Sequence, residues 1–147
     1  MAQMKPETWS AIEAIFAKHP VMKAEPIDYE QIDAAADSAG FQLPEDYREF
    51  IHRYGGAIVG PLPIIGLRQA QAMARTESSV FEVTKHFRQQ GWRGVSEWLV
   101  ISVDHAGNPI GLDRDGKVWI FDHDAGVVET IAPTFEDFLR KRCLKLR

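Results

Sequence analysis

The chain reads as an α+β domain: helices first, an antiparallel meander in the C-terminal half, and a closing helix packed on the sheet. Three observations predict this. A helix with both ends marked spans Pro44 to Tyr54. Four short apolar runs between residues 98 and 131 are separated by turns of a few residues. Such turns require antiparallel neighbours, because parallel pairing needs a long crossover. A capped amphipathic segment then follows at Thr134, and elements grouped in this order define the α+β class.

The elements follow in order. Trp9, Ile12, Ile15 and Phe16 recur at helical spacing, and Pro20 ends the first helix. Asp28 suits the N-cap of a second helix, with Gln31 at the capping-box position. Ile32, Ala35, Ala36 and Ala39 line its face, and Gly40 stops it. In the third helix Pro44 suits the first helical position, where its missing N–H has no partner to lose. Glu45, Asp46 and Glu49 favour the positive end of the dipole. Tyr47, Phe50, Ile51 and Tyr54 make one apolar stripe, and Gly55 can take the left-handed conformation that ends a helix.

Residues 57–65 are apolar and punctuated by Gly and Pro, which fits one short or edge strand. Residues 68–90 are predicted helical in two pieces, with Val80, Val83 and Phe87 as the clearer stripe. Residues 98–103, 110–112, 117–121 and 127–131 are the predicted strands of the meander. Asp113-Arg114-Asp115-Gly116 carries the Asp-Gly signature of a tight hairpin. Pro109 suits only a strand start or an edge. Thr134 caps a final helix that buries Phe135, Phe138 and Leu139.

Composition bounds the function. A length of 147 residues suits one domain, here taken as residues 1–147, with 45% hydrophobic and 26% charged residues. No apolar run is long enough for a bilayer, and the first six residues lack a signal-type hydrophobic region. Cys143 is the single cysteine, so a reducing cytoplasm is the expected compartment. A net charge of -4 argues against direct nucleic-acid binding. The charge is unevenly placed. Residues 95–130 carry seven acids against Arg114 and Lys117, whereas Arg140, Lys141, Arg142, Lys145 and Arg147 make a basic tail.

Asp104, His105, Asp113, Asp115, Asp122, His123 and Asp124 are suitable metal ligands by type, but nearly all fall at predicted turns, where Asp is favoured for backbone reasons. Asp113-x-Asp115-Gly116 resembles the start of a calcium loop. The sixth and twelfth positions are Val118 and Asp124, where Gly and Glu are required. No metal, cofactor or catalytic residue is therefore expected. Gly91-Trp92-Arg93-Gly94 is too short for a phosphate loop. Cys143 reads as a small apolar residue and His19, His52 and His86 as structural or exposed; Trp9 and Trp98 fit a core, and Trp92 an exposed site.

Three segments in succession resemble a known family. They are Leu43-Pro44-x-Asp46-Tyr47-x-x-Phe50 with Tyr54-Gly55-Gly56; Asp104-x-x-Gly107-Asn108-Pro109-Ile110 with Leu112-Asp113, Gly116-Lys117-Val118-Trp119 and Asp122-His123-Asp124; and residues 132–139 from Ala132 to Leu139. This order resembles the SUKH superfamily over roughly residues 28–140, a group that includes the yeast cell-wall assembly regulator and many bacterial toxin-immunity proteins. The resemblance implies an α+β domain, no known catalysis, and work done by binding. In bacteria it implies an immunity protein that masks a cognate toxin, often a nuclease, and an acidic surface such as residues 95–130 suits a basic one. A scaffold or regulator of the same fold is the alternative, and a metal-dependent enzyme the remote one. The expected state is a monomer or weak homodimer.

Along a strand, Lys117, Trp119, Phe121 and His123 point one way and Val118, Ile120 and Asp122 the other, so both faces are apolar. Trp119 and Phe121 are either core or the aromatic centre of a protein interface. The candidate partner-binding set is therefore Trp119 and Phe121 with Asp104, His105, Asp113, Asp115, Asp122, His123 and Asp124 around them.

Overall fold

The computed structural model describes residues 3–73 and 79–146. Arg147 of the basic tail and residues 74–78 of the predicted helical stretch lie outside the described residues. Helix α1 spans Pro6–Lys18 and buries Trp9, Ile12 and Phe16. Helix α2 spans Tyr29–Ala39; the Asp28 carboxylate accepts the Gln31 N–H at 3.0 Å, and Gly40 ends the helix at φ +70°. Ile32 and Ala36 form its buried face, while Ala39 is exposed. Helix α3 spans Glu45–Tyr54. Pro44 stands one position earlier than expected, as the extended N-cap residue. It still contributes no unpaired N–H at the helix start.

The α3 stripe is the centre of the molecule. Tyr47 and Phe50 are fully buried, and Ile51 and Tyr54 nearly so. Phe16 of α1 meets Tyr54 edge-on at 4.9 Å. From the other side Phe135 meets Tyr47 at 5.2 Å and Phe50 at 5.5 Å. The Tyr47 hydroxyl donates to the Ile65 carbonyl at 2.5 Å, so the most deeply buried phenol is paired.

The stretch 57–65 forms a hairpin of two strands, β1 (Ala57–Val59) and β2 (Leu62–Ile64), not a single strand. The expected first helical piece after residue 68 is absent through residue 73, where the chain runs in turns. Its cause is non-local: the N–H groups of Leu67 and Arg68 both donate to the Gly55 carbonyl, diverting the backbone from a helical course. The second piece forms α4 (Val80–Gln89), capped by Ser79.

Strands β3 (Leu99–Val103), β4 (Pro109–Leu112), β5 (Val118–Asp122) and β6 (Val127–Ala132) form an antiparallel sheet in sequence order. Pro109 begins β4 opposite Val103, a strand-start position. Thr84 of α4 ties that helix to the sheet, donating to the Val80 carbonyl and accepting the Val100 N–H at 2.8 Å. Helix α5 is a single turn, Phe135–Phe138, capped by Thr134 and continued as a π-helical turn over Leu139–Cys143. No helix among the described residues is long and apolar enough to cross a membrane.

A polar network joins α1, α3 and α5. Asp46, almost fully buried, accepts the N–H groups of Tyr47 and Glu136 on its two oxygens. Glu136 in turn accepts from the Lys5 N–H and the Thr8 hydroxyl, both at 2.7 Å. Arg140 donates to Thr8 at 2.9 Å and pairs with Glu7 at 2.8 Å. Burial pushes the Asp46 carboxyl above its ordinary range, while the two N–H donors oppose that shift. Truncating Asp46 leaves two amide groups without their acceptor. Asp46→Ala is expected to lower unfolding free energy by about 2–3 kcal/mol in a urea titration with unchanged slope.

Cys143 is buried at the end of the π-helical turn, and burial pushes its thiol up to about 12. The thiolate is the reactive form. Iodoacetamide should therefore leave the native chain unmodified at a pH near the ordinary thiol value of about 8.5, and modify it after denaturation. Rapid labelling of folded protein would contradict this environment.

Candidate protein interface

The three turns of the meander are built alike. Asp104 accepts the N–H groups of Ala106 and Asn108 on one oxygen and the Asn108 amide on the other. Asp113 accepts the N–H groups of Asp115 and Lys117, and its second oxygen takes the Trp119 indole N–H at 2.8 Å. Asp122 accepts the N–H groups of Asp124 and Ala125. These are side-chain caps of the turn backbone. Asp104, Asp113 and Asp122 are thereby structural in the first instance. Asp115 and Asp124 are exposed and cap nothing; Asp124 lies 3.3 Å from His123.

Antiparallel pairing separates the candidate residues. The 104–108 and 123–126 turns share one end of the sheet, where the His123 N–H and ring both meet the Asn108 side-chain oxygen. His105 is exposed at that end. The 113–117 turn sits at the other end, where Arg114 donates to the Gly40 carbonyl and covers the Phe41 ring. Five residues of β5 part the two ends, about 17 Å at roughly 3.4 Å per residue. The nine candidates therefore divide between the two ends of the sheet, with Trp119 and Phe121 between them; Arg114 and Lys117 stand among the aspartates of the 113–117 turn, and Asp104 and His105 border the face of Ile110 and Ile120.

The register assigns the faces of the sheet. Ile110, Leu112, Val118 and Ile120 share one face; Gly111, Trp119 and Phe121 share the other. On the second face Trp98 lies over Gly111 and stacks on Trp119 with centroids 6.3 Å apart and planes 20° apart. Phe121 meets Trp92 edge-on at 5.7 Å, and Trp92 also touches Phe87 and His123. Trp119 and Phe121 are thus half-buried, supported from one side and open at the other. Trp92, expected to be exposed, is half-buried and braces this aromatic row. The glycines on either side of it hid that role, since they read as loop.

The charged cluster between α2 and α3 is internally matched. Arg48 holds Asp33 through two bonds of 2.8 Å and Glu45 at 3.1 Å, and covers the Tyr29 ring. The guanidinium beside Asp33 keeps that carboxyl below its ordinary range. These residues border a cleft of about 710 Å³ that Arg114 closes. His52 stacks on Tyr29 and contacts the Ile27 carbonyl through Nδ1, a structural role. Among the described residues, no group of three His, Cys, Asp or Glu side chains is placed to hold a metal ion.

Gly111 is required here by close approach: a Cβ would enter the Trp98 ring. Gly111→Ala should displace Trp98, break its stack on Trp119 and cost about 1–3 kcal/mol. Near-ultraviolet circular dichroism would report the lost stack, and a denaturant titration the lost stability.

The model of the SMI1 / KNR4 family (SUKH-1) matches residues 26–141. No curated protein matches the chain. The matched stretch begins ahead of α2 and ends within the π-helical turn, so it holds the α3 stripe, the meander and the aromatic strip, while α1 precedes it. With more than half of its residues matched, the chain belongs to the SMI1/KNR4 family (SUKH-1).

Proposed function

We propose that this chain is a bacterial immunity protein that binds and neutralises a cognate secreted toxin by covering its surface, in the cytoplasm and without chemistry of its own. Family membership supports a protein-binding role. The single observation that carries the reading is the strip on β5: Trp119 and Phe121, half-buried and braced by Trp98 and Trp92, between the exposed carboxylates of Asp115 and Asp124. Rigid aromatic anchors ringed by charge are the usual anatomy of a tight interface.

The acidic ends define the partner. A toxin that acts on nucleic acid presents a positive surface to phosphates. An acidic inhibitor strip meets such a surface quickly and competes with its substrate. Asp115 and Asp124 steer, Trp119 anchors, and Asp104, Asp113 and Asp122 hold the turns that present them. His105 and His123 border the strip at one end.

Co-purification with the product of the adjacent gene, followed by a toxicity assay with and without this chain, tests the partnership. Within that complex, Asp115→Lys with Asp124→Lys should slow association by about tenfold or more and flatten its salt dependence, with a smaller change in dissociation. Because neither carboxylate caps a turn, the melting temperature should hold. Unaltered association would remove these aspartates from the interface.

A further inference from the structure

The sheet face opposite Trp119 carries a second surface of the reverse polarity. Ile110, Ile120 and Ile131, from three adjacent strands, line a cavity of about 330 Å³ together with Leu62 and Phe138. Its rim carries Arg142 and Lys145, together with Asp104 and His105 of the first meander turn. Both cations are exposed, and neither has an ion-pair partner among the described residues.

This basic border is held in place. Gly60, in the β1–β2 turn, packs so closely on the Cys143 carbonyl that no Cβ fits. The turn is thereby fixed against the tail. Lys145 is the one non-glycine residue among those described with positive φ, at +56°. The bonds from the Leu144 and Leu146 N–H groups to the Leu139 and Arg140 carbonyls hold it there. A lysine kept in that region costs about 1 kcal/mol, a strain that neighbouring structure must over-determine.

Two cations face a single carboxylate on this rim, that of Asp104, so its net charge stays positive. Both Asp104 oxygens are engaged by its own turn. Glu129 pairs in register with Ile120 on β6 but does not border the cavity. The result is an apolar floor with a cationic end. Three strands set its width at about 10 Å, close to the diameter of an α-helix. That width and the spread of the lining fit side chains of a polypeptide.

We propose that this groove docks a short acidic–apolar segment of a protein partner, its apolar side chains over Ile120 and Ile131 and its carboxylates toward Arg142 and Lys145. The site meets the Trp119 strip only at the 104–105 turn, whose Asp104 and His105 belong to both, and it takes a segment of opposite charge. The chain thus presents two faces, one to a basic surface and one to an acidic segment.

The test uses the full chain, labelled with nitrogen-15, and two sets of short synthetic peptides. One set combines Leu, Ile and Phe with Glu and Asp; the other replaces the acids by Lys and Arg. The acidic set should shift the amide signals of Ile120, Ile131 and Lys145 in a saturable way, and the basic set should not. Arg142→Glu with Lys145→Glu should weaken binding of the acidic set by about tenfold, with an unchanged melting temperature. Lys18→Glu, on the exposed side of α1, should leave it intact. No shifts with either set, equal binding of both sets, shifts confined to Trp119 and Phe121, or shifts that track self-association of the chain would each overturn the proposal.

Discussion

The fold depends on covering one helix. The stripe of α3 carries three aromatic rings and Ile51, too much apolar surface to leave in water. No single element covers it. Phe16 and Trp9 approach Tyr54 from the N-terminal side, and Phe135 meets Tyr47 and Phe50 from the C-terminal side. The chain ends are therefore drawn to the same helix. Asp46, Glu136, Thr8 and Arg140 join the three elements with hydrogen bonds where burial would otherwise leave polar groups unpaired. The sheet is then hung from this assembly by the Tyr47 hydroxyl, through Ile65, whose own N–H donates to the Ile101 carbonyl of β3.

With its helices placed in this way, the meander is left with two partly open faces. One lies beneath Trp98 and Trp92, which cover β4 and β5 without closing over Trp119 and Phe121. The other faces Phe138 and the basic tail. Three aspartates keep the turns tight, so the exposed charges at the strand ends stand on defined backbone. Rigid presentation matters for a binding protein, because groups already ordered in the free state lose little freedom on association.

Much of this was legible from local rules. Asp28, Ser79 and Thr134 sit before helices and cap them, and the α3 stripe follows the helical period residue by residue. The strands of the meander follow from apolar runs and Asp-Gly turns. What local rules missed is non-local. The chain after residue 67 is not helical because a carbonyl twelve residues earlier, that of Gly55, accepts its N–H groups. The aspartates looked like one acidic cluster because they are close in sequence; antiparallel pairing sends Asp113 and Asp115 to one end and Asp122 and Asp124 to the other. Trp92 was unreadable because its partners, Phe87, Phe121 and His123, lie on other elements. The cavity beside Arg142 has residues from six segments, and only the folded chain assembles them.

A chain of the SMI1/KNR4 family with an aromatic strip on its sheet, and strand-end aspartates that cap turns or face water, suits the binding role proposed for it. That role places a partner on the strip. Amide hydrogen exchange, measured on the chain alone and in complex with its co-purified partner, addresses this directly. Slower exchange in the 113–117 and 122–126 turns and along β5 on complex formation is the predicted result. A complex that leaves these segments unchanged and protects only α1 and α2 would contradict it.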